Sequence, residues 1–144
     1  MREIVVKWNP IGALQFEATD ARNHRVILDG SPEHGGDEQG FSPKTLLLIA
    51  LGGCTGMDVI SMLRKMRQDV AGYQLEIKGW EQTEHPRKFE RIIIEHTIEG
   101  YNLNQAMVDK AVKLSHEKYC GVSASLAGSV QIEMVSRLVQ KERI

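Results

Sequence analysis

A chain of 144 residues with 42% apolar and 26% charged residues can bury the core of one ordinary domain. Its formal net charge is -1 and it has no long basic run, which argues against nucleic acid or an anionic membrane as a partner. The start, MREIVVKWNP, predicts a strand and not a secretory signal, and the uncharged, mostly apolar run Thr45–Met57 is shorter than the roughly 18–20 residues that span a bilayer. We therefore expect a cytoplasmic protein.

The first thirty residues predict an antiparallel meander of three strands. Apolar and polar residues alternate over Ile4–Trp8 and Leu14–Ala18, and a third run covers Arg25–Leu28, with turn residues between the runs. The polar segment Asp29–Phe41 follows and contains four glycines. A loop of this length is either functional or disordered, and the sequence leaves both alternatives open.

A long helix is predicted from Pro43 to about Met66, with Ser42 as its N-cap and Pro43 at its first position. Leu46–Leu51 are apolar on every face of this helix, which requires burial on every face. Three strands cannot enclose such a helix, so more sheet or a second copy of the chain is needed. Glycines at positions 52, 53 and 56 surround Cys54 and indicate a close backbone approach, a local break, or both.

After this helix the strand periodicity returns. Apolar and polar residues alternate over Tyr73–Gly79 and again over Phe89–Gly100. The turn residues Glu84–Arg87 lie between the two runs, so the sequence predicts a hairpin.

A second helix is predicted over about Leu103–Tyr119, and Cys120-Gly121 interrupts it. One or two further helical turns over Val122–Ala127 and a last strand over Val130–Val135 complete the chain. The order β-β-β-α-β-β-α-β predicts the α+β class and a single domain over residues 1–144.

The chain has two cysteines, Cys54 and Cys120, too few for a disulfide scaffold. Both are predicted to lie where a new helical turn starts, and free N–H groups with the helix dipole stabilise a thiolate there. The two cysteines are either a redox pair or two small hydrophobic residues buried in the core. His116 and Cys120 are spaced as a metal pair, but further ligands and a CxxC motif are absent, so we expect neither metal nor cofactor.

Asp58 lies inside the apolar helix, where a carboxylate needs a partner. The sequence favours a structural ion pair with Arg64, Arg67 or Lys118, and a proton donor near Cys54 is the alternative. Apolar side chains could also line an opening above the Cys54 sulfur: Trp8, Phe41, Tyr119 and Met57. For Met57 a core position is favoured.

The segments SPKTLLLIALGGCTGMDVISMLRKMRQDV and LSHEKYCGVSASL resemble those of the OsmC/Ohr family, the osmotically inducible proteins C and organic hydroperoxide resistance proteins. Their form is most similar to the uncharacterised OsmC-like branch with GGC and EKYC around its cysteines. The resemblance implies an intertwined homodimer whose central helices are wrapped by sheet from both chains. It also implies that Cys54 attacks the peroxide, that Cys120 resolves the oxidised sulfur as a disulfide, and that an external dithiol reduces this bond.

The sequence departs from the family's peroxidases at two positions. Where they carry a glutamate ten residues before the first cysteine, this chain has Lys44, and its first hairpin turn lacks their arginine. Arg22, Arg25 and Lys44 are the candidates for the missing cation. We therefore expect a thiol-dependent peroxidase acting on organic hydroperoxides in oxidative-stress defence. The alternative is a non-catalytic protein that binds a small apolar ligand or senses redox state.

Overall fold

The structure is a computed structural model that describes residues 1–144. Its contacts divide the chain into two compact units, Met1–Leu47 and Leu48–Ile144. The first unit contains the antiparallel sheet β1 (Ile4–Trp8), β2 (Phe16–Asp20) and β3 (Arg25–Leu28), with β2 in the centre. The predicted meander is therefore confirmed, while the interpretation of the chain as a single domain stays a prediction.

The polar segment after β3 is an ordered loop built around one carboxylate. Asp29 is buried, and its carboxylate accepts hydrogen bonds from the backbone N–H groups of Gly30, Asp37 and Gln39. Burial opposes ionisation of Asp29, but these donors outweigh it and lower the pKa of the carboxyl group. Of the two alternatives that the sequence left open, disorder is thus wrong, because the loop has its own internal hydrogen bonds.

Replacing the carboxylate should loosen this loop. In Asp29→Ala three backbone donors lose their acceptor, and an unsatisfied buried donor costs about 1–3 kcal/mol. We expect a glutamate-specific protease to cut the loop at Glu33 or Glu38 at least about tenfold faster than in the wild type. Asp37→Ala is the matched control, since Asp37 contributes its backbone N–H and not its carboxylate. Equal cleavage rates for the two variants would contradict this role of Asp29.

The long helix α1 (Pro43–Lys65) begins where the sequence predicts. The Ser42 hydroxyl accepts a hydrogen bond from the Thr45 N–H at 3.2 Å, as an N-cap does. Within the chain α1 buries a single stripe: Leu51, Gly52, Thr55, Val59 and Leu63. The prediction of a core position for Met57 is wrong within one chain, because its side chain is 74% exposed.

The second unit contains a three-stranded sheet with β5 (Phe89–Tyr101) in the centre. The strand β4 (Asp69–Glu81) pairs with it antiparallel, as the predicted hairpin requires, and β6 (Gln131–Gln140) pairs with it in parallel. The crossover between β5 and β6 consists of α2 (Gln105–Leu114), a π-helical turn (Ser115–Tyr119) and α3 (Gly121–Leu126). The predicted order of elements and the α+β class are confirmed.

Two hydrophobic clusters fill the core of this unit. One joins α1, β5 and α2 through Val59, Leu63, Ile98, Leu103, Val108, Ala111 and Val112. The other joins α1, β5 and the start of α3 through Leu51, Phe89, Ile92, Ile94 and Cys120. The inward side chains of β5 follow the strand period of two, so its opposite face carries the charged residues.

One polar side chain interrupts the apolar face of β5. His96 is 1% exposed, its Nδ1 lies 2.6 Å from the Tyr73 hydroxyl and its Nε2 lies 3.4 Å from the Met134 sulfur. Burial disfavours the imidazolium and lowers the pKa of His96 to about 4. The native protein therefore holds this imidazole neutral at neutral pH.

His96 should make the protein less stable as the pH falls from about 6.5 to about 4. In that window the unfolded imidazole binds a proton that the native one does not, and the loss reaches about 3 kcal/mol at about 1.4 kcal/mol per pH unit. When the free energy of unfolding is measured in urea at a series of pH values, we expect His96→Gln to flatten its dependence on pH in this window. His85→Gln, in the exposed hairpin turn, should leave that dependence unchanged. An unaltered slope in His96→Gln would exclude this histidine as the cause.

By length and composition alone, α1 meets the criterion for a membrane-spanning helix. Within the chain 28% of its most apolar window is buried. The core helix of a globular protein meets the same criterion. Within one chain, most of this apolar window is therefore not buried.

Candidate functional site

Cys54 lies in the middle of α1, and not at a helix start. The prediction of a break at the glycines is wrong, because α1 runs without interruption from Pro43 to Lys65. A glycine in a helix costs only about 1 kcal/mol, and here the glycines allow close packing on β4. A Cβ added at Gly52 would lie 2.6 Å from Ile77 Cδ1. Cys54 therefore lies far from the free N–H groups and the positive dipole end at the start of α1.

Cys120 does lie at a helix start, as predicted. It is the N-cap of α3, and its sulfur accepts a hydrogen bond from the Ser123 N–H at 3.3 Å. At the end of the preceding π-helical turn, the Cys120 N–H donates a hydrogen bond to the Ser115 carbonyl oxygen at 2.8 Å. Cys120 is 2% exposed, whereas Cys54 is half-buried and reaches solvent.

The fold brings the two cysteines together. The sulfur atoms of Cys54 and Cys120 and a carboxylate oxygen of Asp58 all lie within 4.8 Å of one another. Both thiols are free, and the Thr55 hydroxyl donates a hydrogen bond to the Cys120 sulfur at 3.6 Å. The two sulfurs, at most 4.8 Å apart, must approach to about 2.05 Å to form a disulfide.

Burial is the main cause that raises the pKa of the Cys120 thiol. The hydrogen bonds from Ser123 and Thr55 act in the opposite direction, while the neighbouring Cys54 raises the pKa further. In the reduced protein Cys120 therefore stays protonated at neutral pH. The more exposed Cys54 is the thiol of this pair that a substrate can reach.

Asp58 is one helical turn after Cys54 and has a hydroxyl as its partner. Ser115 Oγ donates a hydrogen bond to Asp58 Oδ2 at 2.9 Å. The predicted ion pair with Arg64, Arg67 or Lys118 is therefore wrong. Asp58 is half-buried, so its carboxylate is stabilised by solvent and by one hydroxyl in place of the expected cation.

A cavity of about 460 Å³ adjoins Asp58. Its walls are mostly carbon-rich, and two lysines lie among them; the lining residues include Met62, Met66, Leu114, Tyr119, Lys65 and Lys110. Ligand pockets generally have volumes of about 300–1,000 Å³ and a few polar groups on apolar walls. The cavity therefore has room for an organic molecule beside Asp58, although neither cysteine lines it.

The predicted supporting cations belong to the N-terminal unit. Lys44 is in the first turn of α1, and Arg22 lies exposed in the turn between β2 and β3. Arg25 is at the start of β3 and forms an ion pair with Glu17 at 3.5 Å. The proposed action of these residues on Cys54 stays a prediction.

Sequence reasoning missed three polar residues of the site: Thr55, Ser115 and Ser123. Thr55 and Ser123 hydrogen-bond the Cys120 sulfur, and Ser115 hydrogen-bonds the Asp58 carboxylate. The available signal was small polar residues inside otherwise apolar helical segments, where an unpaired hydroxyl is unfavourable. His116, considered above as a metal ligand, instead has its Nδ1 at 3.0 Å from Ser123 Oγ.

A model of the family of OsmC-like proteins matches residues 35–135. The chain belongs to the OsmC-like family. This OsmC-like protein is 38% identical over 127 residues to Protein YhfA of Escherichia coli strain K12, which covers 88% of this chain and 90% of YhfA.

Solved structures show the same fold. A hypothetical protein from Aquifex aeolicus VF5 is 27% identical and has a TM-score of 0.85, with 99% of the OsmC-like chain and 98% of that chain covered. An organic hydroperoxide resistance protein OsmC from Legionella pneumophila is 14% identical and has a TM-score of 0.69, with 94% and 96% covered. The family resemblance that the sequence motifs indicate is therefore confirmed.

Proposed function

We propose that this protein is a cysteine-dependent peroxidase that reduces organic hydroperoxides. One observation supports the proposal most: an accessible thiol, Cys54, lies within 4.8 Å of a buried second thiol, Cys120. Two sulfurs at this separation can pass an oxidising equivalent from one to the other. The Legionella relative is named for hydroperoxide resistance, which agrees with this chemistry.

The proposed cycle has three balanced steps. The Cys54 thiolate attacks the distal peroxide oxygen, the O–O bond breaks, and the alkoxide takes up a proton and leaves as an alcohol. Cys120 then attacks the Cys54 sulfenic acid, and the S–S bond forms as water leaves with the Cys120 proton. An external dithiol reduces this disulfide by thiol exchange and becomes a disulfide itself. A reducing compartment such as the cytoplasm supplies such dithiols.

The cavity that adjoins Asp58 favours an organic peroxide over hydrogen peroxide as the substrate. The neighbouring cavity offers methionine, leucine and tyrosine side chains to an apolar tail. Asp58, within 4.8 Å of the Cys54 sulfur, is the nearest carboxylate to carry the proton between thiol and alkoxide. In this proposal Asp58 has the supporting role that the sequence offered as the alternative to an ion pair.

Variants of the two cysteines test the cycle. With cumene hydroperoxide and excess dithiol, we expect Cys54→Ser to lower peroxide consumption to the rate of dithiol alone, because no sulfur remains to attack. Cys120→Ser should accumulate a Cys54 sulfenic acid, which dimedone traps and intact-mass measurement detects. Cys120→Ser alone should react once per chain and then slow.

The wild type provides the complementary measurement. One equivalent of cumene hydroperoxide should convert it to a form two mass units lighter, with a peptide linking Cys54 and Cys120. Peroxide loss no faster with the wild type than with dithiol alone would refute the peroxidase. Slow formation of the disulfide without turnover would favour the redox sensor that the sequence left as the alternative.

We also propose that two chains assemble into an intertwined homodimer. Every residue of β1 is exposed although four of the five are apolar: Ile4, Val5, Val6 and Trp8. On α1 the side chains of Ile49 and Met57 are also exposed. Monomeric proteins rarely expose continuous apolar surface on this scale, and a second copy has the matching apolar surface.

A charge at position 57 should disrupt this assembly. We expect sedimentation velocity to show a dimer for the wild type and mainly monomers for Met57→Glu, because an unpaired buried carboxylate costs several kcal/mol. The dimer dissociation constant should rise at least about 100-fold. Thr83→Glu adds the same charge in the exposed hairpin turn and should remain dimeric. A stable wild-type monomer would contradict the proposed dimer.

A further inference from the structure

The cluster of Cys54, Asp58 and Cys120 has a second chemical use. Two thiols and a carboxylate are all ligands that zinc accepts. Cys54 and Asp58 are four residues apart on one face of α1, and Cys120 comes from the start of α3. We propose that the reduced protein binds one Zn²⁺ ion through the sulfurs of Cys54 and Cys120 and one oxygen of Asp58.

The distances fit a tetrahedral ion. Zinc bonds of about 2.3 Å to sulfur and about 2.0–2.2 Å to oxygen separate neighbouring donor atoms by roughly 3.5–3.8 Å. The three donor atoms here lie within 4.8 Å of one another, so rotations of side chains bring them to that separation. Binding releases the thiol protons to solvent, as thiolate ligation requires.

Hydrogen bonds around the ligands match those of metal sites. Ser115 Oγ holds Asp58 Oδ2 and leaves the other oxygen for the ion. The Cys120 sulfur accepts from the Ser123 N–H and from the Thr55 hydroxyl. Such outer contacts orient the ligands, and losing one typically lowers metal affinity about 10–100-fold.

The ligand set selects zinc among the common metals. Magnesium and calcium require oxygen ligands, and copper(I) prefers sulfur alone, whereas zinc binds thiolate and carboxylate together. Three protein ligands leave the fourth position to water or to a molecule from the adjoining cavity. The half-buried Cys54 and Asp58 provide the path by which the ion enters.

Zinc at this position excludes the redox cycle. Both sulfurs donate to the metal, so Cys54 cannot attack a peroxide and the disulfide cannot form. The metal site itself does not depend on peroxidase activity, since it needs only the three reduced ligands. Zinc binding and peroxide reduction are therefore separate properties that can fail separately.

Metal binding to the reduced protein, without peroxide, tests the site. Equilibrium dialysis against Zn²⁺ should give one ion per chain, and Co²⁺ should give the sulfur charge-transfer and visible bands of a tetrahedral thiolate site. Cys54→Ser and Asp58→Asn should each weaken Zn²⁺ binding at least about tenfold. Asp109→Asn, on the exposed side of α2, should bind Zn²⁺ like the wild type. Equal binding by wild type and Cys54→Ser would overturn the proposal.

A second measurement uses the wild type alone and does not depend on the folding of variants. One equivalent of Zn²⁺ should slow the alkylation of Cys54 by iodoacetamide at least about tenfold, and EDTA should restore the rate. The oxidised protein, in which the two sulfurs are bonded, should bind no Zn²⁺. Unchanged alkylation in the presence of Zn²⁺ would overturn the site even if peroxide reduction is observed.

Discussion

The contact between α1 and β4 fixes the position of the chemistry. Gly52 and Gly56 lie directly against the side chains of Ile77 and Leu75, so the helix backbone packs on the side chains of β4. This contact sets the rotation of α1 about its axis. The same rotation directs Thr55, Val59 and Leu63 into the core and leaves Cys54 on the flank, half-buried and opposite the start of α3.

The crossover from β5 to β6 provides the other half of the site. The π-helical turn over residues 115–119 precedes Cys120, and Cys120 then caps α3. π-Helical turns are frequent at functional sites. Here the turn places Ser115 beside Asp58 and the Cys120 sulfur beside Cys54, so one local irregularity contributes two contacts.

The sequence predicted the elements that depend on local chemistry. Ser42 and Pro43 start α1 as their side chains dictate, and the period of two along β5 separates its buried and charged faces. The predicted helix break at Cys54 was wrong because a glycine in a helix permits either a break or a close approach to a neighbouring element. Only the side chains that face the glycine distinguish the two cases. The partner of Asp58 and the parallel pairing of β6 depend on contacts distant along the chain, which no local pattern encodes.

The sulfur pair and its carboxylate illustrate why a site of this kind is versatile. A thiol that is accessible to peroxide is also accessible to metal ions, and a second thiol close enough to form a disulfide is close enough to share a ligand. Burial raises the pKa of the Cys120 thiol, so the formation of an S–S bond or of a metal bond must also remove the thiol proton. In the two proposals above, the same reduced pair of sulfurs is the starting point for both products.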